Sequence, residues 1–300
     1  MTAPVTVPTT QPVAGPIPER DVTARRVRFQ YSLDDLPEHY AVDGDIVMSH
    51  LIAVLSSVFP DGEDFFVRSV RNFRDDVTDP ELQKQVKGFI GQEAIHGREH
   101  REFNEKLDEL GYPSSRIARI TAVSLRLREK LLPAKANLAL TAALEHYTAT
   151  LAESILSEPE VRDSIEHPEV RNLFLWHALE ESEHKAVAFD VYRAVGGSER
   201  MRRITMTVLN WGFPLFLLVA TLLSMLGDPV ARRSPRKVWQ GITRLRRSPV
   251  ISSDVVERIR DYNRPDFHPD DHDTSALVEA WRAELFGAEG SLNDRLPAAS

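Results

Sequence analysis

Two four-residue motifs, Glu93-Ala-Ile-His96 and Glu181-Ser-Glu-His184, place a carboxylate and an imidazole three residues apart. On a helix that spacing sets the two side chains side by side, so the carboxylate can bridge or chelate metal while the ring nitrogen binds one ion. A single motif of this kind arises readily by chance. Two in one chain call for partners, and partners appear when the neighbouring segments are laid out at alternating spacings of four and three, the geometry of a core-facing seam. The four rows read Phe59, Glu63, Phe66, Val70, Phe73; then Phe89, Glu93, His96, His100, Phe103, Leu107; then Leu138, Ala142, Glu145, Ala149, Ala152, Leu156; then Phe174, His177, Glu181, His184, Ala188, Val191. Each row carries a carboxylate among residues that belong in a core.

Burying an unpaired carboxylate costs several kcal/mol, and four converging carboxylates also repel one another. Two metal ions supply the missing positive charge. One Glu from each of two helices (Glu63, Glu145) and a Glu-x-x-His from each of two others (Glu93 with His96, Glu181 with His184) form the di-iron or di-manganese carboxylate arrangement. His177, four residues before Glu181 on the same face, is expected as a seventh ligand. His100 is expected at the cavity edge, and His146, turned about 100° from Glu145 on its helix, as a structural or ligand-orienting neighbour. The simpler account of each residue is a half-buried ion pair or a satisfied core histidine. Glu63 has a further one, because it follows Pro60-Asp61-Gly62, where an acid would favour a helix start.

Positioning these rows requires helices, and the chain from Asp45 to Gly196 has helical periodicity with breaks at prolines. The spacing predicts a kinked helix over 46–76, a second over 80–110, a third over 114–157 interrupted at Pro133, and a fourth over 168–195. The fold class is therefore all-α, a four-helix bundle with additional C-terminal helices. Residues 1–26 read as a disordered tail without a secretory signal, 27–197 as the metal-binding core, 198–287 as an apolar helix with basic flanks and further helices packed on the bundle, and 288–300 as a second tail. The chain has no cysteine, which excludes thiolate metal sites, and its net charge of −8 argues against nucleic acid as a partner. That charge is unevenly spread. Ten Arg or Lys and one acid, Asp228, between Arg200 and Val250 leave that stretch at +9 and the rest at −17. Its uncharged run, 204–227, is long enough to meet or cross a bilayer, or to form a homodimer contact.

Two resemblances carry these observations further. Phe59-Pro60-Asp61-Gly62-Glu63-Asp64-Phe65-Phe66, Gln92-Glu93-Ala94-Ile95-His96-Gly97, Glu180-Glu181-Ser182-Glu183-His184-Lys185 and Arg264-Pro265-Asp266-Phe267-His268-Pro269 resemble hallmarks of the bacterial predicted metal-dependent hydrolases over residues 27–287. The ligand order is similar to that of the di-iron arylamine N-oxygenases of the ferritin-like superfamily. That resemblance implies a ferritin-like bundle, two iron ions with manganese as the alternative, and Glu63, Glu93, His96, Glu145, His177, Glu181 and His184 as ligands. The resulting expectation is a non-haem oxygenase that uses O2 to oxidise a small apolar or aromatic substrate. Ala142, Ala149 and Ala152 are expected to leave room for it beside Phe66, Phe89, Phe103 and Phe174. A dinuclear hydrolase and a non-enzymatic iron-binding or membrane-associated protein are the alternatives. No flavin or nicotinamide fingerprint is present, so electrons are expected from a partner protein. The expected location is cytoplasmic, peripheral to or embedded in the inner membrane face. His268 and His272 read as part of a solvated loop or lid.

Overall fold

The computed structural model describes residues 17–29 and 35–297. Among them the regular structure is helical, with one isolated bridge between Ala41 and Ile165. Four long helices form the centre: α1 (Ile46–Arg71), α2 (Pro80–Glu109), α4 (Ala134–Ser157) and α6 (Pro168–His184). α1 lies against α2 and α4, and α6 closes the ring against α4 and α2.

Local chemistry accounts for the boundaries. The Asp45 carboxylate caps α1 by accepting from the Met48 amide, and Asp79 caps α2 by accepting from Glu81 and Leu82 ahead of Pro80 in the first turn. Pro60 lies inside α1 and cannot donate to the carbonyl of Ser56. Asn104 on α2 repairs the loss, its Nδ2 donating to that carbonyl at 2.9 Å. The helix therefore continues to Arg71, ending five residues short of the expected 76.

The segment expected as one interrupted helix over 114–157 is two. Leu132, which precedes Pro133, is extended at φ −115° and ψ 150°, and the chain turns there. α3 (Ser114–Leu131) packs outside α1 and α2 and buries only Ser114 and Ile117. The expected helix over 168–195 likewise divides into α6 and α7 (Val187–Ala194) at Lys185–Ala186. Lys185 Nζ donates there to the His272 carbonyl and to Thr274 Oγ1. α6 is buried on almost every side, as a central helix must be.

Short α5 (Pro159–Asp163) joins α4 to α6. α8 (Glu199–Gly227) then runs along α1 and α4, followed by α9 (Pro229–Arg233), α10 (Pro235–Leu245), α11 (Ser253–Asp261) and α12 (Ser275–Phe286). Among the described residues α8 alone is long and apolar enough to cross a membrane.

Both expected tails need correction where they are described. Residues 17–29 lie across α2, where Gly88 and Gly91 leave room for Val22 and Ala24; a β-carbon on Gly88 would collide with the Val22 carbonyl. Arg20 in this segment pairs with Asp190 at 2.9 Å. At the other end, Leu292 is fully buried and Arg295 pairs with Glu169 at 2.5 Å, so the chain packs through this region instead of trailing off. The rest of the two tails, 1–16 and 298–300, lies outside the described residues.

Candidate metal centre

The ring of four helices brings all seven expected ligands together. Glu63 comes from α1, Glu93 and His96 from α2, Glu145 from α4, and His177, Glu181 and His184 from α6; every one is at most 4% exposed. His184 Nε2 lies 3.0 Å from Glu93 Oε1, 3.3 Å from Glu145 Oε2 and 3.6 Å from Glu181 Oε1. Glu181 Oε1 also lies 3.0 Å from His177 Nε2 and 3.6 Å from His96 Nδ1. Glu63 Oε1 is 3.8 Å from His177 Nε2. Separations of this size match neighbouring donor atoms around an ion bound at about 2.1 Å. Two lobes result, one of Glu93, Glu145, Glu181 and His184, the other of Glu63, Glu93, His96, His177 and Glu181.

Three outer hydrogen bonds turn the histidines toward this centre. Gln92 donates through Nε2 to the Thr23 carbonyl and to Glu183, so its Oε1 must accept from His184 Nδ1, at 2.9 Å. His96 Nε2 donates to Glu180 Oε2 at 3.0 Å. The third runs through a chain whose polarity is set at its far end. Asn104 Nδ2 donates to the Ser56 carbonyl, so its Oδ1 accepts from the Ser56 hydroxyl, at 2.7 Å. That hydroxyl can then only accept from His100 Nδ1, at 2.9 Å, and neutral His100 accepts at Nε2 from His177 Nδ1, at 2.7 Å. Burial and the neighbouring His177 hold His100 well below the ordinary histidine range, so it is neutral. With Nε2 of His96 and Nδ1 of His177 and His184 engaged by these outer partners, the other ring nitrogen of each, Nδ1 of His96 and Nε2 of His177 and His184, faces the carboxylates. Outer partners of this kind fix tautomer and ring orientation at metal sites.

A cation fits what is otherwise left unmatched. Both oxygens of Glu63, Glu93 and Glu145, Oε2 of Glu181, Nδ1 of His96 and Nε2 of His184 are buried without a hydrogen-bond partner, and buried polar atoms are rarely left so. Burial and neighbouring carboxylates push Glu63 and Glu145 well above the usual carboxylate range, and burial pushes Glu93 up too. For Glu181 burial acts the same way but His184 and His177 outweigh it, holding that carboxylate well below its usual range. His184 is raised in return, its three carboxylates outweighing burial. The cluster is built to surround positive charge. Gly97 contributes by its lack of a side chain, since a β-carbon there would stand 3.2 Å from Glu63 Oε2.

Helical spacing turns Glu180 and Glu183 off the ligand rows. Both are buried. Arg25 holds them, with Nη1 3.1 Å from Glu180 and a two-pronged contact to Glu183 at 2.8 Å, and Arg282 adds a bond to Glu183 at 2.8 Å. Glu180 orients His96, and Glu183 orients His184 through Gln92. Ser56, Asn104 and Arg25 carried no sequence signal, and Gln92 only its place in the Gln92–Gly97 motif, because their roles depend on contacts across helices and from the N-terminal segment.

His100 sits where expected, beside His177. His146 does not orient the ligands: its Nε2 donates to the Arg258 carbonyl at 2.8 Å, and its ring packs on Tyr262 and Phe267, facing α11. His268 pairs with Asp190 at 2.8 Å and His272 with Asp261 at 3.3 Å, so the two share no site. The segment 263–273 is a loop exposed or half-buried over most of its length, as expected, and pinned by buried Phe267 and Pro269. His39 and His50, unassigned from sequence, meet Asp228 at 2.9 and 3.2 Å at the end of α8.

The expected cavity exists, in a different place. It measures about 560 Å³ and lies between α1, α3, α4 and α8. Glu63, His177 and Glu181 form its metal-centre side, while Phe59, Phe66, Leu125, Leu140, Leu144 and Phe213 are among its apolar walls. Ala142, Ala149 and Ala152 do not line it, nor do Phe89, Phe103 and Phe174; α4 turns its Leu140–Leu144–Thr148 side to the cavity. The small residues instead let the helices approach one another and are buried in that contact.

Removing the repair at Pro60 tests the orienting chain. Asn104→Ala is expected to lower metal affinity about tenfold or more with the protein still folded, as read by metal titration and circular dichroism. Unchanged affinity would show that His177 needs no such support.

The fold and site define an all-helical protein with a buried carboxylate–histidine cluster open to an apolar cavity. The chain belongs to the predicted metal-dependent hydrolase family, whose model matches residues 23–273. No curated protein matches it, and no solved structure does.

Proposed function

We propose that this protein is a non-haem di-iron oxidoreductase of the ferritin-like superfamily, with manganese as the alternative metal, that uses O2 to oxidise an apolar substrate. The observation that carries this reading is the set of four buried carboxylates and three imidazoles with inward-facing nitrogens, one side of which opens on an apolar cavity. Carboxylate-rich dinuclear sites on four helices suit redox iron or manganese. When bound, the metal pair would supply O2 activation; an electron-donor protein would supply reducing equivalents.

The chain's own residues divide the remaining work. Glu93, Glu145 and His184 close the far side, where Phe89 packs edge-on against the His184 ring at 5.0 Å. Glu63, His177 and Glu181 face the cavity, and Phe59 packs on His177 at 4.9 Å, limiting water at that edge. Phe66 and Leu144 would hold an apolar substrate beside these ligands, and His100 keeps the proton of His177 on Nδ1, away from the cavity.

Anaerobic protein loaded with Fe(II) is expected to consume O2 and give a transient visible absorbance on exposure to air. Iron-loaded protein that does neither overturns the reading. The family's description favours a second one, a dinuclear hydrolase using metal-activated water. Metal-dependent turnover of an ester or phosphoester panel under argon would support it.

A further inference from the structure

α8 carries apolar residues on its outer face as well as its inner one. A surface helix of a soluble protein turns apolar residues to the core and polar ones to water. The inner face of α8 mixes apolar Met206 and Met225 with Arg202, Asn210, Thr221 and Ser224. Arg202 is buried against Glu199 and the Tyr262 and Arg264 carbonyls, Asn210 accepts from the Tyr147 hydroxyl at 2.6 Å, and Ser224 meets His50 at 2.7 Å. The outer face runs Ile204, Val208, Trp211, Leu215, Leu218 and Leu222 at spacings of four and three, each at least 45% exposed and Trp211 80%. Across the cavity mouth, α3 turns out a matching row, Ile120, Val123, Leu127 and Leu131, each at least 53% exposed.

The charge around this face selects what covers it. Of the ten Arg and Lys between residues 200 and 250 only Arg202 is buried, and the one acid, Asp228, is buried on His39 and His50. Apart from Arg244, which pairs with Asp43 and Asp45, the exposed flanks are therefore cationic, with Trp239 exposed among them on α10. A second copy docked symmetrically would bring like charges together, whereas anionic lipid headgroups neutralise them. The inner-face hydrogen bonds hold α8 along α1 and α4, so the helix would lie in the lipid surface instead of crossing it.

The cavity opens on the same face. Ile120, Ile204 and Val208 belong both to its lining and to the exposed rows, and its inner end is Glu63, His177 and Glu181. One cation lines it: Arg128 makes no ion pair among the described residues, and its buried Nε has no partner.

We propose that the α3–α8 face seats this protein on an anionic lipid surface and that the cavity takes from it a single-chain amphiphile whose carboxylate pairs with Arg128. The proposal names the substrate class for the oxidoreductase read above and rests on that reading only for what happens to the substrate. The bilayer is the source, and the hydrocarbon chain occupies the apolar walls.

The test uses the whole chain and two probes. In cosedimentation, it is expected to bind vesicles of phosphatidylcholine with phosphatidylglycerol, and to bind phosphatidylcholine alone at least about tenfold more weakly. Trp211→Glu with Leu215→Glu is expected to reduce binding about tenfold or more, with helicity and metal content unchanged. With cis-parinaric acid as the second probe, Arg128→Met is expected to weaken binding about tenfold, and Gly212→Trp, which fills the cavity wall, to abolish it. Equal binding to both vesicle types, vesicle binding by the double variant at the wild-type level, or a wild-type dimer that this variant splits without either pelleting, overturns the lipid docking. Parinaric acid binding unaffected by both cavity variants overturns the amphiphile. Neither assay depends on O2, so absent oxygen uptake with intact lipid binding defeats only the oxidoreductase reading, and the reverse result defeats only this one.

Discussion

Glu181→Gln is expected to empty the centre of metal. Glu181 Oε1 is the oxygen placed within 3.6 Å of the inward-facing nitrogen of each of the three imidazoles, and Glu181 belongs to both lobes of the cluster. An amide keeps the shape but removes the charge and half the acceptor capacity. Metal affinity is expected to fall about a hundredfold, the upper end for loss of an orienting group and a lower bound for loss of a ligand. Because metal binding stabilises only the folded state, saturating Fe(II) or Mn(II) is expected to stabilise the wild type by about 3–4 kcal/mol. The variant should show a small fraction of that. Elemental analysis and anaerobic thermal melts with and without metal measure both quantities. Wild-type metal content retained by the variant, with the same metal-induced rise in melting temperature, would remove Glu181 from the centre.

The second large effect lies outside the ligands. Arg25→Met leaves Glu180 buried against its charge, because Arg25 is the guanidinium paired with it. Burial already pushes the Glu180 carboxyl up to about 7 with Arg25 opposing. Removing one partner of a buried ion pair costs about 3–5 kcal/mol, a large share of a typical folding stability of about 5–15 kcal/mol. Glu183 keeps Arg282, so Glu180 is expected to dominate the loss. Denaturant unfolding of the metal-free chain measures it, and adding Glu180→Gln is expected to restore part of the stability. A loss under about 1 kcal/mol, within the range of surface pairs, would mean that water reaches these carboxylates.

Much of the centre was legible from spacing alone. Glu93, His96, Glu181 and His184 stood out because residues three apart share a helix face, and Glu63, Glu145 and His177 because they interrupted apolar rows in register with it. His100 was legible for the same reason, four residues beyond His96. Glu180 and Glu183 were not, because helical spacing turns them off the ligand face, and what makes them part of the site is Arg25, more than 150 residues away in sequence. For His146 the 100° turn from Glu145 left a structural and a ligand-orienting role open, and the α11 contact decides for the first. The alanines of α4 misled. Small residues can mean space or close approach, and the neighbouring helix determines which.

The sequence by itself determined that the chain is helical and which rows carry the carboxylates and imidazoles, since periodicity, caps and prolines act within a few residues, and it established the split between an acidic body and a basic, apolar appendage. Only the tertiary structure decided that the cavity opens between α3 and α8, that residues 17–29 hold the outer carboxylates, and that α8 turns a row of apolar residues outward. Those features depend on which faces meet, a matter of contacts between segments far apart in the chain, where local periodicity carries no information.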